Sequence, residues 1–180
     1  MSDSFIHYRP ARPVDADQVH LLIAAAADES GSLVEQPDEI SAEHIRTRIR
    51  NTTNRRNRLF LVATEQEKII GMCSLECHEL RALQHIRYMS LIVDPQYRRR
   101  GIGKELLRQS LEWAQETEGV EKIELRVRER NFAGVNLCFA FGFEKEGTLK
   151  HHIALPNGKR LNDILLAKFI NHVPATKDKK

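Results

Sequence analysis

Val93-Asp94-Pro95-Gln96-Tyr97-Arg98-Arg99-Arg100-Gly101-Ile102-Gly103-Lys104 decides how this chain reads. On its N-terminal side, His85–Val93 reads as a strand that Asp94-Pro95 stops, because proline has no N–H to give a ladder. On its C-terminal side, Leu106, Leu107, Ser110, Leu111, Trp113 and Ala114 recur at helical spacing from Gly103 to about Glu116. The stretch is therefore a strand-to-helix turn. Glycines at i and i+2 let backbone approach a ligand with no Cβ in the way. Amide N–H groups at a helix start converge on one spot, and the helix dipole makes that spot attractive to an anion. Arg98, Arg99, Arg100 and Lys104 add positive potential around it. The turn predicts a phosphate or pyrophosphate site.

Two nucleotide signatures fail here. A Walker A loop would carry glycine where Arg98 stands and Ser or Thr where Glu105 stands. A Rossmann fingerprint would carry its third glycine at Leu106.

Outward from the turn, the elements alternate. Phe5–Ala11 is a short strand candidate. A helix is expected from Asp15, as its cap, to about Glu29, with Val19, Leu22, Ile23 and Ala26 on one stripe. Ser41 caps a second helix. Leu59–Thr64 and Lys68–Glu76 read as strands joined by the polar Glu65-Gln66-Glu67. Lys122–Arg128 alternates Ile123, Leu125 and Val127 with charged residues, as a half-buried strand does. Asn131 opens a helix that ends near Gly142. Phe143–Leu155 and Arg160–Phe169 are strands around the turn Pro156-Asn157-Gly158. The order β-α-α-β-β-β-α-β-α-β-β predicts an α/β (α+β) domain with a mixed central sheet.

The 180 residues suit one domain, here 1–170, followed by a tail, 171–180, that loses apolar periodicity. With 41% apolar and 29% charged residues the composition is globular. Lys and Arg total 28 against 25 Asp and Glu, and a net charge of +3 does not favour a dedicated nucleic-acid binder. No apolar run is long enough to span a bilayer, and the first ten residues have neither the basic start nor the apolar stretch of a signal peptide. Three cysteines argue against a disulfide framework and for a reducing compartment, so a cytoplasmic protein is expected. Cys73 and Cys77 lack a second Cys/His pair, so no metal site is expected.

Arg98-x-x-Gly101-x-Gly103 resembles the Arg/Gln-x-x-Gly-x-Gly/Ala signature of the GNAT superfamily of N-acetyltransferases. Asn131-Phe132-Ala133-Gly134-Val135-Asn136-Leu137 through Phe141-Gly142-Phe143 resembles the second motif of that family, and the element order from Phe5 to Phe169 is similar throughout. The resemblance implies a mostly antiparallel sheet of about six or seven strands with flanking helices and a splayed cofactor cleft. It also implies acetyl-CoA, or another acyl-CoA, as acyl donor, with the amides of about Arg99 to Lys104 on the pyrophosphate. Arg98, Arg99, Arg100, Gly101, Ile102, Gly103 and Lys104 form the phosphate loop on this reading. The pantetheine arm would pair with backbone at Leu91, Ile92 and Val93, and Asn131 would contact it unless it serves only as a helix cap.

The implied reaction is direct attack of a primary amine on the thioester in a ternary complex, the acceptor being a small amine, an amino acid, or a protein N-terminus or lysine. Two positions depart from the family pattern. Cys138 stands where members often carry a tyrosine that protonates the leaving thiolate, and Arg126 stands where many carry a glutamate base. Cys138 as acid and Glu76 as base are the nominal catalytic residues, with Glu79, His85 and Tyr88 as alternatives to Glu76. The segment Arg46–Arg58 holds six arginines and no acidic residue, suited to an anionic acceptor or to RNA or a ribosome. Asp163, in a C-terminal stretch that resembles members acting on amino acids, small amines or protein N-termini, is a candidate partner for a cationic amine. Two other readings stay open: an acyl-CoA-binding domain without turnover, and an RNA- or ribosome-associated module using Arg46–Arg58. The resemblance leaves a homodimer open.

Overall fold

The computed structural model describes residues 5–27, 39–54, 57–155 and 157–170. The expected helix end at Glu29, Arg55 and Arg56 of the basic segment, Pro156 and the tail 171–180 lie outside the described residues.

The elements are β1 (His7–Pro10), α1 (Ala16–Ala27), α2 (Ala42–Asn54), β2 (Leu59–Glu65), β3 (Lys68–Cys77), β4 (Ile86–Val93), α3 (Ile102–Glu116), β5 (Lys122–Arg128), α4 (Phe132–Ala140), β6 (Glu144–Ala154) and β7 (Arg160–Phe169). This is the expected order. The strands form one sheet in the order β1-β2-β3-β4-β5-β7-β6. Every pairing is antiparallel except β4 with β5.

Asp15 does not cap a helix that begins beside it. A short 3-10 turn, Pro13–Asp15, comes first, and the Asp15 carboxylate accepts the Arg12 N–H at 2.6 Å and two Arg9 N–H groups at 2.7 and 2.9 Å. That fixes the exit of β1 against the start of α1. Ser41 does cap α2, its Oγ accepting the His44 N–H at 3.1 Å.

The sheet has a core on each face. Alternation along the strands sends one set of side chains to α1 and α2 and the other to α3 and α4. Val62, Ile69, Met72 and Ile92 meet Val19, Ile23, Ile45 and Ile49 on the first face. Leu61, Ile70, Leu75, Met89, Ile123 and Leu125 meet Ile102, Leu106, Leu107 and Leu111 on the second. Gly71 lets α3 settle onto β3, since a Cβ there would stand 3.0 Å from Ile102 Cγ2 and 3.1 Å from Leu106 Cδ1. Gly71→Val is therefore expected to cost about 1–3 kcal/mol by overpacking, read as a lower denaturation midpoint at unchanged m-value.

The β4–β5 ladder is short. It pairs Ile86, Arg87 and Tyr88 with Lys122, Ile123 and Glu124 and then ends, although β4 runs on to Val93 and β5 to Arg128. Beyond Tyr88 the two strands part, and β5 continues its pairing only with β7, from Lys122 with Phe169 to Arg128 with Asp163. The sheet thus opens at its centre, as the resemblance implied.

At the other edge, β6 is an irregular strand rather than the continuous one expected over Phe143–Leu155. Its register on β7 shifts twice, once between Leu149 and Ile153, where His151 takes φ 51°. The Asn162 side chain holds this bulge by accepting the His151 N–H at 2.7 Å while donating to Glu129 at 2.9 Å.

Candidate active site

The opening between β4 and β5 leads directly onto the N-terminus of α3. Asp94 sets the turn between them: its Oδ1 accepts the Gln96 N–H at 2.9 Å, and its Oδ2 receives Lys68 Nζ at 3.1 Å. Arg99 at φ 64° and Gly101 at φ 80° carry the chain round in the left-handed region. Gly101 is the N-cap of α3, and its carbonyl accepts the Glu105 N–H at 3.0 Å. The N–H groups of Ile102, Gly103 and Lys104 come before that first helical bond and have no carbonyl of their own helix to reach.

The resulting cleft has a volume of about 930 Å³. One wall is Leu91, Ile92 and Val93 of β4, and its floor is Arg98, Arg99, Gly101, Ile102, Gly103 and Lys104. The opposite wall includes Arg128, Arg130 and Asn131, continued by Ala133, Gly134 and Leu137 of α4. Leu155, Asn157, Lys159 and Leu161, around the β6–β7 connection, complete it. Ten of the expected cofactor residues are thus brought together.

Arg100 is the exception. Its guanidinium turns to Glu65, with Nη2 at 2.5 Å from Oε1, and lies 5.4 Å from the centre of the Tyr97 ring. It braces the turn from outside. Asn131 lines the cleft, and its Oδ1 accepts the Gly134 N–H at 2.9 Å as the N-cap of α4. Gly134 makes room for that cap, because a Cβ there would fall 2.8 Å from Asn131 Nδ2.

None of the nominal catalytic residues lines the cleft. Cys138 is 1% exposed in the core against α3 and β5, and burial pushes its thiol up to about 11. The geometry thus does not bring this thiol to the cleft, where a departing thiolate would lie. Cys73 is buried as deeply, and burial pushes it up to about 12 against the opposing hydrogen bond from Ser110. Both folded-state values lie above the ordinary value of about 9, so the stabilisation from keeping these thiols neutral is whole below that value. It is lost as pH rises toward 11 and 12. Cys73→Ala is expected to flatten the decline of stability with alkaline pH, followed by urea titration from neutrality upward.

Glu76 stands on β3 opposite Tyr88, and its Oε1 accepts Arg48 Nε at 2.7 Å and Arg48 Nη2 as well. It is an ion-pair partner of α2 and is not among the residues that line the cleft. Tyr88 lies 5.8 Å from the His78 ring and makes the last pair of the β4–β5 ladder, whereas His85 precedes the first, its carbonyl accepting the Glu121 N–H at 2.9 Å. Asp163, expected to meet a cationic acceptor, is fully buried and bound to Arg128 Nη1 instead. The helical half of the basic segment is also engaged in ion pairs. Arg46 pairs with Glu43 and Asp17, Arg48 with Glu76 and Arg50 with Glu43. Of the six arginines in the run, Arg46, Arg48 and Arg50 thus meet carboxylates supplied from α1, α2 and β3.

Comparison with known proteins agrees with this geometry. The model of the acetyltransferase (GNAT) family matches residues 23–143, about two thirds of the chain. The chain belongs to the GNAT acetyltransferase family. As a member it is an acyltransferase by class. It is similar to the ribosomal protein bS18-alanine N-acetyltransferase of Haemophilus ducreyi, 30% identical over 62% of this chain and 74% of that one. It is also similar to the L-amino acid N-acetyltransferase AaaT of Escherichia coli, 28% identical over 60% of this chain and 66% of that one. Among solved structures, yncA of Salmonella typhimurium, determined with its cofactor acetyl-CoA, superimposes with a TM-score of 0.84. That match covers 98% of this chain and all of the other at 15% identity, a likeness of fold. Among the described residues no helix is long and apolar enough to cross a membrane, and no cluster of His, Cys, Asp and Glu could hold a metal ion.

Sequence reasoning missed Arg128, Arg130 and Lys159 as cleft residues. The signal for Arg128 was present: Ile123, Leu125 and Val127 point into the core, so the intervening Arg126 and Arg128 must point to the other face. What alternation does not show is that this face borders the opening.

Proposed function

We propose that this GNAT member transfers an acetyl group from acetyl-CoA to a primary amine by direct attack in a ternary complex. The observation that carries the proposal is the parting of β4 from β5 over the N-terminus of α3. It offers an unpaired strand edge and a row of free N–H groups in one cleft. Acetyl-CoA has the matching chemistry, an extended amide-bearing arm joined to a pyrophosphate. The acetyl-CoA in the yncA structure and the N-acetyltransferase activity of the bS18-alanine and amino acid relatives support the same donor and reaction.

The donor supplies a thioester whose carbonyl carbon accepts the amine and whose sulfur leaves as thiolate. The chain's own residues then have separable tasks. The N–H groups of Ile102, Gly103 and Lys104 hold the pyrophosphate, helped by the helix dipole and the charges of Arg98, Arg99 and Lys104. The edge of β4 at Leu91 to Val93 pairs with the pantetheine amides like a partial extra strand. A backbone N–H near Leu91 polarises the carbonyl. The acceptor arrives as an ammonium ion, which has no lone pair, so one proton must leave before attack. A second proton passes from nitrogen to the departing sulfur as the amide forms.

The cleft lining contains no carboxylate, imidazole or thiol among the described residues. The first proton therefore leaves to water in the open cleft. This gives a sharp test with full-length protein, saturating acetyl-CoA and thiol release as the readout. The rate constant kcat/KM is expected to rise about tenfold per pH unit until the acceptor amine reaches its own pKa. Glu76→Gln should leave that profile in place. A plateau set by a group of the protein near neutral pH, lost in Glu76→Gln, would restore Glu76 as the base. A cytoplasmic location fits the free thiols Cys73, Cys77 and Cys138. The ion pairs of Arg46, Arg48 and Arg50 weaken the reading as an RNA- or ribosome-associated module.

A further inference from the structure

Six basic side chains line the cleft, and among its described lining residues there is no acidic one. Arg98, Arg99 and Lys104 stand at the end of α3, where the pyrophosphate belongs. Arg128 stands on the opposite wall, formed by β5 and the β6–β7 connection. It differs from the other cations in being built in. It is 5% exposed, its Nη1 is clamped by Asp163 directly across the β5–β7 pairing, and its Nε is buried with no hydrogen-bond acceptor.

The clamp itself is elaborate for a packing device. Asp163 is 0% exposed, and its Oδ2 has no hydrogen-bond partner, with His152 Nε2 3.9 Å away across the β6 bulge. A buried ion pair contributes little net stability, because desolvation offsets the attraction. What the pair does achieve is a guanidinium held rigidly at the cleft wall, where the parted strands leave a gap. Guanidinium is the side chain best shaped for a carboxylate.

We infer that Arg128 recognises the acceptor, and that the acceptor bears a carboxylate beside its amine, as a free α-amino acid does. The inference rests on the acetyl-transfer reading above and deepens it. Binding the carboxylate on the β5 wall leaves the adjacent amine free to face β4, where the thioester lies. A polyamine or a lysine-rich peptide brings only positive charge to a wall that is already positive. A peptide N-terminus brings an uncharged carbonyl in place of the carboxylate.

The test compares free amino acids, their α-amides and a linear polyamine as acceptors for the full-length chain, with thiol release as readout. Free acids are expected to exceed their amides in kcat/KM by about 100-fold or more. Arg128→Gln alone strands Asp163 in the interior, so the informative variant is Arg128→Gln with Asp163→Asn, which removes both charges. In that variant the acid-over-amide preference should collapse to within about threefold, chiefly through a higher KM for the acids. Its thermal stabilisation by CoA should persist. An amide or polyamine that matches the free acid in the wild-type chain overturns the inference, as does the absence of turnover with every free amino acid. Loss of the CoA-induced shift in the double variant also overturns it, by assigning Arg128 to the donor. A wild-type chain that CoA fails to stabilise refutes the donor reading itself, which separates the two failures.

Discussion

Gly103→Glu is expected to erase the thermal stabilisation that acetyl-CoA gives the wild-type chain, while Gly103→Ala retains most of it. The difference follows from what surrounds this position. A Cβ on Gly103 would lie 3.5 Å from Leu137 Cδ2 and 3.5 Å from Val93 Cγ2, which is ordinary contact. Alanine therefore fits, and neither substitution meets a backbone obstacle, because Gly103 does not take a positive φ. Glutamate instead sends a carboxylate into the cleft floor, beside the N–H groups that would hold the pyrophosphate. At a ligand concentration 100 times its Kd, a ligand that binds only the folded state stabilises it by about 2.7 kcal/mol. That whole increment should vanish in Gly103→Glu and survive in Gly103→Ala, measured by thermal unfolding with and without acetyl-CoA. Equal loss in both variants would mean that Cβ crowding, not charge at a phosphate site, explains the effect.

The second large effect concerns stability alone. Asp163→Asn leaves Arg128 buried with its charge uncompensated, and removing one partner of such a pair costs about 3–5 kcal/mol. Replacing both, as Arg128→Met with Asp163→Leu, removes the desolvation penalty together with the attraction. Urea unfolding of the single and double variants should thus show a deep loss for the single change and recovery of most of it in the double. Losses that simply add would indicate that the two side chains contribute through packing and not through their charges.

The two effects mark where sequence was informative and where it was not. The phosphate loop was legible because its chemistry is local. Gly101, Gly103 and the helical spacing after them lie within one turn of chain, and the helix start follows within a residue of expectation. The β7 strand, Arg160–Phe169, was legible for a similar reason: a turn signal precedes a run of strand-forming residues. The Arg128–Asp163 pair was not, because it depends on the β5–β7 register across 35 residues, and nothing near either residue encodes that register.

Charge runs misled in the same way. Arg46 to Arg50 reads as free cationic surface until the fold brings Asp17 and Glu76 to it, and the Arg100 side chain reads as free charge beside the phosphate turn until β2 supplies Glu65. Cys138 shows the limit of a motif. Its place in the pattern suggested a proton donor, but the burial that raises its pKa comes from the core it shares with β5 and α3. Local chemistry can be read along the chain, whereas pairing and burial are properties of the assembled sheet.

In the proposed function, the parted β4–β5 edge and the start of α3 together form one donor site. Amide hydrogen exchange of the full-length chain, with and without CoA, tests it residue by residue. Slower exchange is expected at Leu91, Ile92 and Val93 and at Ile102, Gly103 and Lys104, with little change in the paired part of the ladder near Arg87 and Ile123. Protection confined to other elements, with the α3 start and the β4 edge exchanging as fast as in the free protein, would contradict it.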